Sequence, residues 1–229
     1  MTTAADRISI IVPALNEAGG IRDTLAPLQP LRACGHQVVV VDGGSADGTP
    51  ELAHPLADRV IASARGRARQ QNAGAAAADG GVLLFLHADT RLPPDADRLV
   101  LDGLRAAGRG WGRFDVRLTG AHPMLRVVER MISLRSRASG IATGDQAIFV
   151  RRDWFVRAGG FPDIPLMEDV ALSRTLRRMG PPLCLRAPVL TSSRRWEERG
   201  VWRTIVLMWR LRLAYALGAD PARLADRYR

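Results

Sequence analysis

Three short runs of mainly apolar and β-branched residues, Ile8 to Val12, Val38 to Val41 and Val82 to Leu86, alternate with stretches rich in alanine and arginine. Near-continuous apolar runs of this length suit strands buried on both faces, as parallel strands covered by helices are. The pattern therefore predicts βαβ units around a mostly parallel sheet, an α/β fold. Another strand is expected at Arg59 to Ala62, then an Arg- and Gln-rich turn from Arg65 to Asn72 and an alanine-rich helix to Asp79. Beyond Pro93-Pro94 the spacing predicts a helix to Ala107, a strand at Arg113 to Leu118, an amphipathic helix from Pro123 to Ala138 and a strand at Gln146 to Val150. Gly159-Gly160-Phe161 breaks the chain before a helix opened by Met167-Glu168-Asp169 and ended by Gly180.

The residues just past each apolar run carry the chemistry. The first run leads into Pro13-Ala14-Leu15-Asn16-Glu17, where Pro13 is expected to stop the ladder and Asn16 to cap a helix. The second ends in Asp42-Gly43-Gly44-Ser45, whose glycines permit a tight turn, and the third in His87-Ala88-Asp89. In open α/β sheets these strand ends form the ligand crevice. Asp42 can accept a bond from a nucleobase N–H or a ribose hydroxyl, or it can bond its own turn. Glu17 either faces a ribose or caps a helix start. Asp89, at the rim of an apolar strand, suits a hard divalent cation, which needs one or two such oxygens when phosphates and water fill its other positions. His87 supports that ion or caps the strand end. Glu168 and Asp169 are either dipole-favoured acids at a helix start or a carboxylate able to take a proton from an attacking hydroxyl.

Composition narrows the class. A chain of 229 residues suits one catalytic domain. Its net charge of +10 resembles a nucleic-acid footprint, yet all 33 basic residues are arginine, and no interleaved aromatic surface or zinc spacing accompanies them, so no nucleic-acid partner is expected. Cys34 and Cys184 build no disulfide framework. With no secretory leader and no run of ~18 apolar residues, a cytoplasmic location is expected. From Val201 to Leu217, Trp202, Ile205, Val206, Trp209, Leu213 and Leu217 form one helical stripe, with Leu207, Met208, Leu211 and Tyr215 opposite and Arg203, Arg210 and Arg212 at the borders. Such a helix either rests on an anionic bilayer or docks into the core or a dimer interface.

Taken in order, these motifs resemble the family 2 glycosyltransferases of GT-A fold over residues 7 to 215. Ile8 to Glu17 is similar to that family's opening strand and base-binding loop, Val41 to Thr49 to its uridine-binding turn, and Gly66 to Gly74 to the segment touching nucleotide and diphosphate. The resemblance assigns Pro13, Ala14, Asn16, Glu17, Asp42, Gly43, Ser45, Arg67, Gln70, Asn72, His87 and Ala88 to the nucleotide. Leu86-His87-Ala88-Asp89 stands where the family has its metal-binding D-x-D, with His87 replacing the first aspartate and Asp89 left as ligand to Mg2+ or Mn2+. Gly159-Gly160-Phe161 with Met167-Glu168-Asp169 resembles the acceptor-side E-D motif, which implies Asp169 as catalytic base beside Glu168. Ser193-Arg194-Arg195-Trp196 is similar to a shortened R-W element, placing Arg195 and Trp196 at the diphosphate and acceptor. Gly144-Asp145-Gln146 and the small size resemble a compact bacterial branch.

The resemblance implies inverting transfer of a sugar from a nucleotide diphosphate, UDP-linked, to an acceptor hydroxyl. It divides the chain into a catalytic domain over 1–199, with nucleotide-binding (7–92) and acceptor (93–199) halves, and a helical tail over 200–229. A nucleotidyltransferase would need an N-terminal glycine-rich loop and lysines, and a Rossmann dehydrogenase a G-x-G-x-x-G after the first strand; the chain has none of these. A catalytically silent nucleotide-sugar-binding protein stands as the alternative that the His87 departure raises.

Overall fold

A computed structural model describes residues 6–228. Eight strands form one sheet in the order β3-β2-β1-β4-β7-β6-β8-β5. Its first half is β1 (Ile8–Ala14), β2 (Gln37–Asp42), β3 (Arg59–Ala62) and β4 (Val82–Phe85), all parallel. β1, β2 and β4 are buried along almost their whole length, which is why their sequences read as unbroken apolar runs. The second half holds β5 (Thr90–Arg91), β6 (Trp111–Leu118), β7 (Phe149–Arg151) and β8 (Leu183–Thr191). β6 and β8 run parallel to each other, while β7 and β5 are antiparallel to their neighbours.

Helices α1 (Ile21–Leu25), α2 (Gln29–Ala33), α3 (Thr49–Ala53), α4 (Arg67–Ala77) and α5 (Ala96–Ala106) flank the sheet as crossovers. α4 lies close against β1 and β2, because Gly74 allows it: a Cβ there would stand 2.4 Å from Ile11 Cγ2. α6 (Pro123–Ser139), α7 (Arg152–Arg157), α8 (Glu168–Met179) and α9 (Arg194–Arg199) come next, and the chain closes with α10 (Val201–Ala216) and α11 (Pro221–Tyr228). Leu211 of α10 and Leu224 and Ala225 of α11 are buried against Leu166, Met167 and Val170 at the start of α8.

Several expectations are corrected. Pro13 ends pairing with β4, which stops at Ile11, but pairing with β2 continues through Pro13 to Ala14, because the missing N–H removes a bond on one side only. Asn16 caps no helix; α1 starts five residues later and has Gly20 at its cap. Arg67 to Asn72 form no turn, since α4 begins at Arg67, and it ends at Ala77 rather than Asp79. Gly144–Gln146 is a 3-10 turn, so β7 begins only at Phe149. β6 starts two residues before the expected strand, at Trp111.

Candidate functional site

The carboxyl ends of the parallel strands β1, β2 and β4 lie side by side and form the strand-end cleft. Beyond β4 the His87 ring sits against Gly144, whose N–H donates to Asp169 at the start of α8. On the cleft's β2 side, Asp42 is 7% exposed, and its Oδ2 accepts the Gly44 and Ser45 N–H groups at 2.9 and 3.0 Å. Its Oδ1 is buried without a hydrogen-bond partner. A buried carboxylate oxygen left in this state is costly unless a ligand donor meets it. Of the two readings of Asp42, the bond to its own turn is met by Oδ2, and Oδ1 is left open. The β1 loop is laced to the same turn: Asn16 N–H donates to Ser45 Oγ, Asn16 Oδ1 accepts the Ala46 N–H, and Glu17 N–H donates to Thr49 Oγ1.

The other expected nucleotide residues divide between wall and floor. Gln70 lies beneath Gly43, donating from its amide nitrogen to Ala14 O and Val41 O, and Asn72 bonds both the N–H and the carbonyl of Phe161. Their amides brace the site from below and are not turned into it. Ala88 is buried with its carbonyl held by Thr24, while Pro13 is half-buried at the end of β1.

Asp89 is exposed at the rim, just beyond β4. It acts on Glu17, whose carboxyl is pushed up by burial and by Asp89 and Asp47, with Arg194 and Arg67 opposing. It acts on His87 too: burial and Arg67 hold that imidazole down, against Asp89, Asp145 and Asp169, so His87 is neutral at pH 7. The His87 ring sits against Gly144, where a Cβ would come within 2.4 Å of Nε2. Asp145 Oδ1, next in the chain, is buried without a partner.

Met167 adopts φ 69, a left-handed conformation that a side chain occupies only under strain of order 1–3 kcal/mol, and strain of this kind gathers at functional sites. From that kink α8 starts with Glu168 and Asp169. Asp169 Oδ2 accepts the Gly144 N–H and Oδ1 the Val170 N–H, each at 2.7 Å. The Glu168 carboxyl is pushed up to about 7 by burial and by Asp169, with Arg67 opposing.

Two arginines complete the cleft. Burial would lower Arg67, but Glu168, Tyr228 and Asp169 outweigh it and hold the guanidinium firmly charged. Arg195 stacks 4.1 Å from the centroid of the Tyr228 ring and is lowered by burial and by Arg67, against Tyr228 and Asp89. Its Nη1 is buried with no partner. The two guanidiniums act on each other, and the unused Nη1 of Arg195 is a donor of the kind that phosphate oxygens accept. Trp196 points elsewhere, packing with Leu118, Leu125, Val128 and Val201.

The family model of glycosyl transferase family 2 matches residues 9–149. The chain belongs to that family. No curated protein sequence matches it. Among solved structures, the mannosyltransferase PcManGT from Pyrobaculum calidifontis, in complex with GDP-Man and Mn2+, is 24% identical over 97% of this chain and 68% of its own, with a TM-score of 0.65. S. aureus TarS 1-349 is 18% identical over 82% of this chain, TM-score 0.68, and the chain spans 60% of that fragment's length. Glucosyl-3-phosphoglycerate synthase from Mycobacterium tuberculosis, solved with Mn2+, UDP and glucosyl-3-phosphoglycerate, is 20% identical over 82% of this chain and 72% of its own, TM-score 0.57. With these neighbours the family's fold is the GT-A fold, an α/β sheet with six of eight strands in one direction.

Among the described residues no group of three or more His, Cys, Asp or Glu side chains is placed to hold a metal ion. The donor set at the rim is smaller, the exposed carboxylate of Asp89, whose Oδ1 accepts the Thr90 hydroxyl at 3.3 Å, with Glu17 nearby, and it fits a hard ion whose other ligands are substrate phosphates and water.

Reading the sequence missed Asp145, Tyr228, and the half-buried Arg135 and Arg212, both of which feel the charges of Asp169 and Asp145. Asp145 offered one signal, its place in Gly144-Asp145-Gln146. The arginines offered none, being polar residues on otherwise amphipathic helices.

Proposed function

We propose that the chain transfers a sugar from a nucleotide diphosphate sugar, UDP-linked, to an acceptor hydroxyl with inversion at the anomeric carbon. The observation that carries this reading is the cleft's polarity, from an unpartnered Asp42 Oδ1 on the β2 side, through Arg67 and Arg195, to Asp169 at α8. Asp42 Oδ1 would accept the N–H of the base or a ribose hydroxyl, and the β1 loop would enclose the nucleoside. Arg67 and Arg195 would hold the diphosphate. Asp169 would accept the acceptor proton as that hydroxyl oxygen bonds to the anomeric carbon, while the carbon's bond to the diphosphate breaks and its electron pair leaves with the diphosphate. Gly144 and Val170 N–H groups keep the Asp169 carboxylate aimed. Asp89, with Glu17 alongside, would hold Mg2+ or Mn2+, which when bound neutralises charge on the leaving group. Neighbours solved with Mn2+ and with UDP or GDP-Man support both parts.

Thermal shift over a panel of UDP and GDP sugars tests this. At about 100 Kd a ligand stabilises by about 2.7 kcal/mol, so a UDP species with Mn2+ should raise Tm by about 5–10 °C, and by less without the ion. No shift with any UDP species and either ion contradicts the reading.

The tail extends it to a membrane surface. No described helix is long and apolar enough to cross a bilayer. On α10 and at its C-cap, however, Trp202, Val206, Trp209, Leu213 and Leu217 are 50–80% exposed, and Val127, Met131 and Leu134 of α6 are exposed as well. Exposed Arg130, Arg203 and Arg210 lie on the same two helices. Half-buried Ile205 instead packs inward beside Val201. Aromatic and aliphatic side chains fringed by arginine suit an anionic bilayer, the arginines meeting headgroups. Removing the tail would uncover Leu166 and Val170, so paired Trp202→Ser and Trp209→Ser substitutions are the cleaner probe. Wild type should float with anionic liposomes and the double variant should not; equal recovery contradicts the membrane contact.

A further inference from the structure

Beside the cleft, on the side of α8 that faces α6 and α10, lies a cavity of about 200 Å3 lined by Arg135, Arg174, Arg212 and Tyr215. Met167 and Val170 form its wall, and these residues bracket the Glu168-Asp169 pair. Arg135 belongs to α6, Arg174 to α8 and Arg212 to α10, so three elements distant in sequence each bring one guanidinium to one place.

None of the three forms an ion pair with a carboxylate among the described residues. Arg174 lies 5.0 Å over the Tyr215 ring, and Arg135 Nη1 makes only a long bond, 3.4 Å, to Ile141 O. Arg135 Nη2 is buried with no partner at all. Burial, with Arg212 adding to it and Asp145 and Asp169 opposing, lowers Arg135 to about 10. Burial lowers Arg212 as well, with the same two aspartates opposing. Arg113 and Arg137, by contrast, share Asp115, and Arg32 pairs with Asp58. Like charges gathered and partly desolvated without a counter-ion raise the free energy of the empty state, and an anion placed between them relieves it.

We infer that Arg135 and Arg212, with Arg174 at the rim, form an anion subsite that binds a phosphate group carried by the acceptor. Planar guanidiniums present paired N–H donors that match phosphate oxygens. With the phosphate held there, the acceptor's hydroxyl is presented to Asp169, whose charge already acts on both arginines. This rests on the transferase reading, and it names the acceptor class. The phosphate has two sources: a soluble phosphorylated compound, or a phospholipid headgroup reached from the apolar faces of α6 and α10, where exposed Leu134 and Leu213 adjoin the two arginines in sequence.

The test is calorimetric titration of inorganic phosphate into the intact protein saturated with UDP and Mg2+, so that the donor phosphate seat is filled. Arg135→Gln and Arg212→Gln should each weaken phosphate binding by about tenfold or more, Arg135→Lys, which keeps the charge and loses the paired donors, should fall between Arg135→Gln and wild type, and UDP affinity should stay unchanged throughout. Phosphate that fails to bind, or that binds both Gln variants as tightly as wild type, overturns the subsite. If UDP itself does not bind, the transferase reading falls, and the same titration without UDP still reports on the arginines. Glycerol phosphate and phosphatidylglycerol vesicles then compete for the bound phosphate. Displacement by the first identifies a soluble acceptor and displacement by the vesicles alone a lipid headgroup, whereas displacement by neither contradicts the acceptor assignment.

Discussion

Asp169→Asn should lower the transfer rate by about 10^2 to 10^4-fold, the usual contribution of a positioned general base, while leaving the dissociation constant for the nucleotide sugar within about threefold of wild type. The substitution preserves size and one acceptor oxygen, so the Gly144 or Val170 N–H keeps a partner and the start of α8 is not emptied. Its effect is to remove the ability to take a proton. Glu168 does not substitute for that loss, since its carboxyl is buried and its charge is engaged with Arg67. Single-turnover transfer from a labelled nucleotide sugar, set beside equilibrium donor binding, separates the two quantities. Unchanged turnover in Asp169→Asn removes the base assignment.

Asp42→Asn should weaken UDP binding by about 10- to 100-fold with little change in fold, because its two oxygens do different work. Oδ2 accepts two turn N–H groups, and the amide oxygen of Asn can replace it there. Oδ1 is buried and unpartnered, and the substitution sets an NH2 donor where the nucleotide needs an acceptor. Losing one charge-assisted bond of about 1.5–3 kcal/mol and opposing two donors gives that range. Titration calorimetry with UDP reads it, and equal affinity in the variant would move the nucleoside away from β2.

The parallel half of the sheet was legible because burial on both faces forces continuous apolar runs, so β1, β2 and β4 could be placed within a residue or two. β8 was not. Its residues are mostly half-exposed and include Arg186 and Pro188, and it is a strand through its pairing with β6, which slips in register opposite Phe114 and Asp115 to admit the proline. Pairing across a sheet leaves no local period to read. The strand-end acids were legible by position, and Asp42 bonds its own turn through Oδ2 while Oδ1 stays unpartnered. Gln70 and Asn72 looked like ligand contacts because amides suit nucleotides, but burial had already assigned their groups to the backbone of β1, β2 and Phe161. The α10 stripe was visible as a pattern, while the choice of which face docks depended on Leu211 meeting Leu166 and Val170, a contact between segments some forty residues apart.

The central claim is that Asp42, Asp89 and Asp169, distant in sequence, serve one bound nucleotide sugar. A crystal structure of the protein with UDP and Mn2+ tests it most directly, with the manganese located by its anomalous signal. The account predicts the nucleoside against Asp42 Oδ1, manganese on Asp89 bridging to the diphosphate beside Arg67 and Arg195, and the open face of the diphosphate turned toward Asp169. A nucleotide bound on another surface, or manganese held away from Asp89, would contradict it.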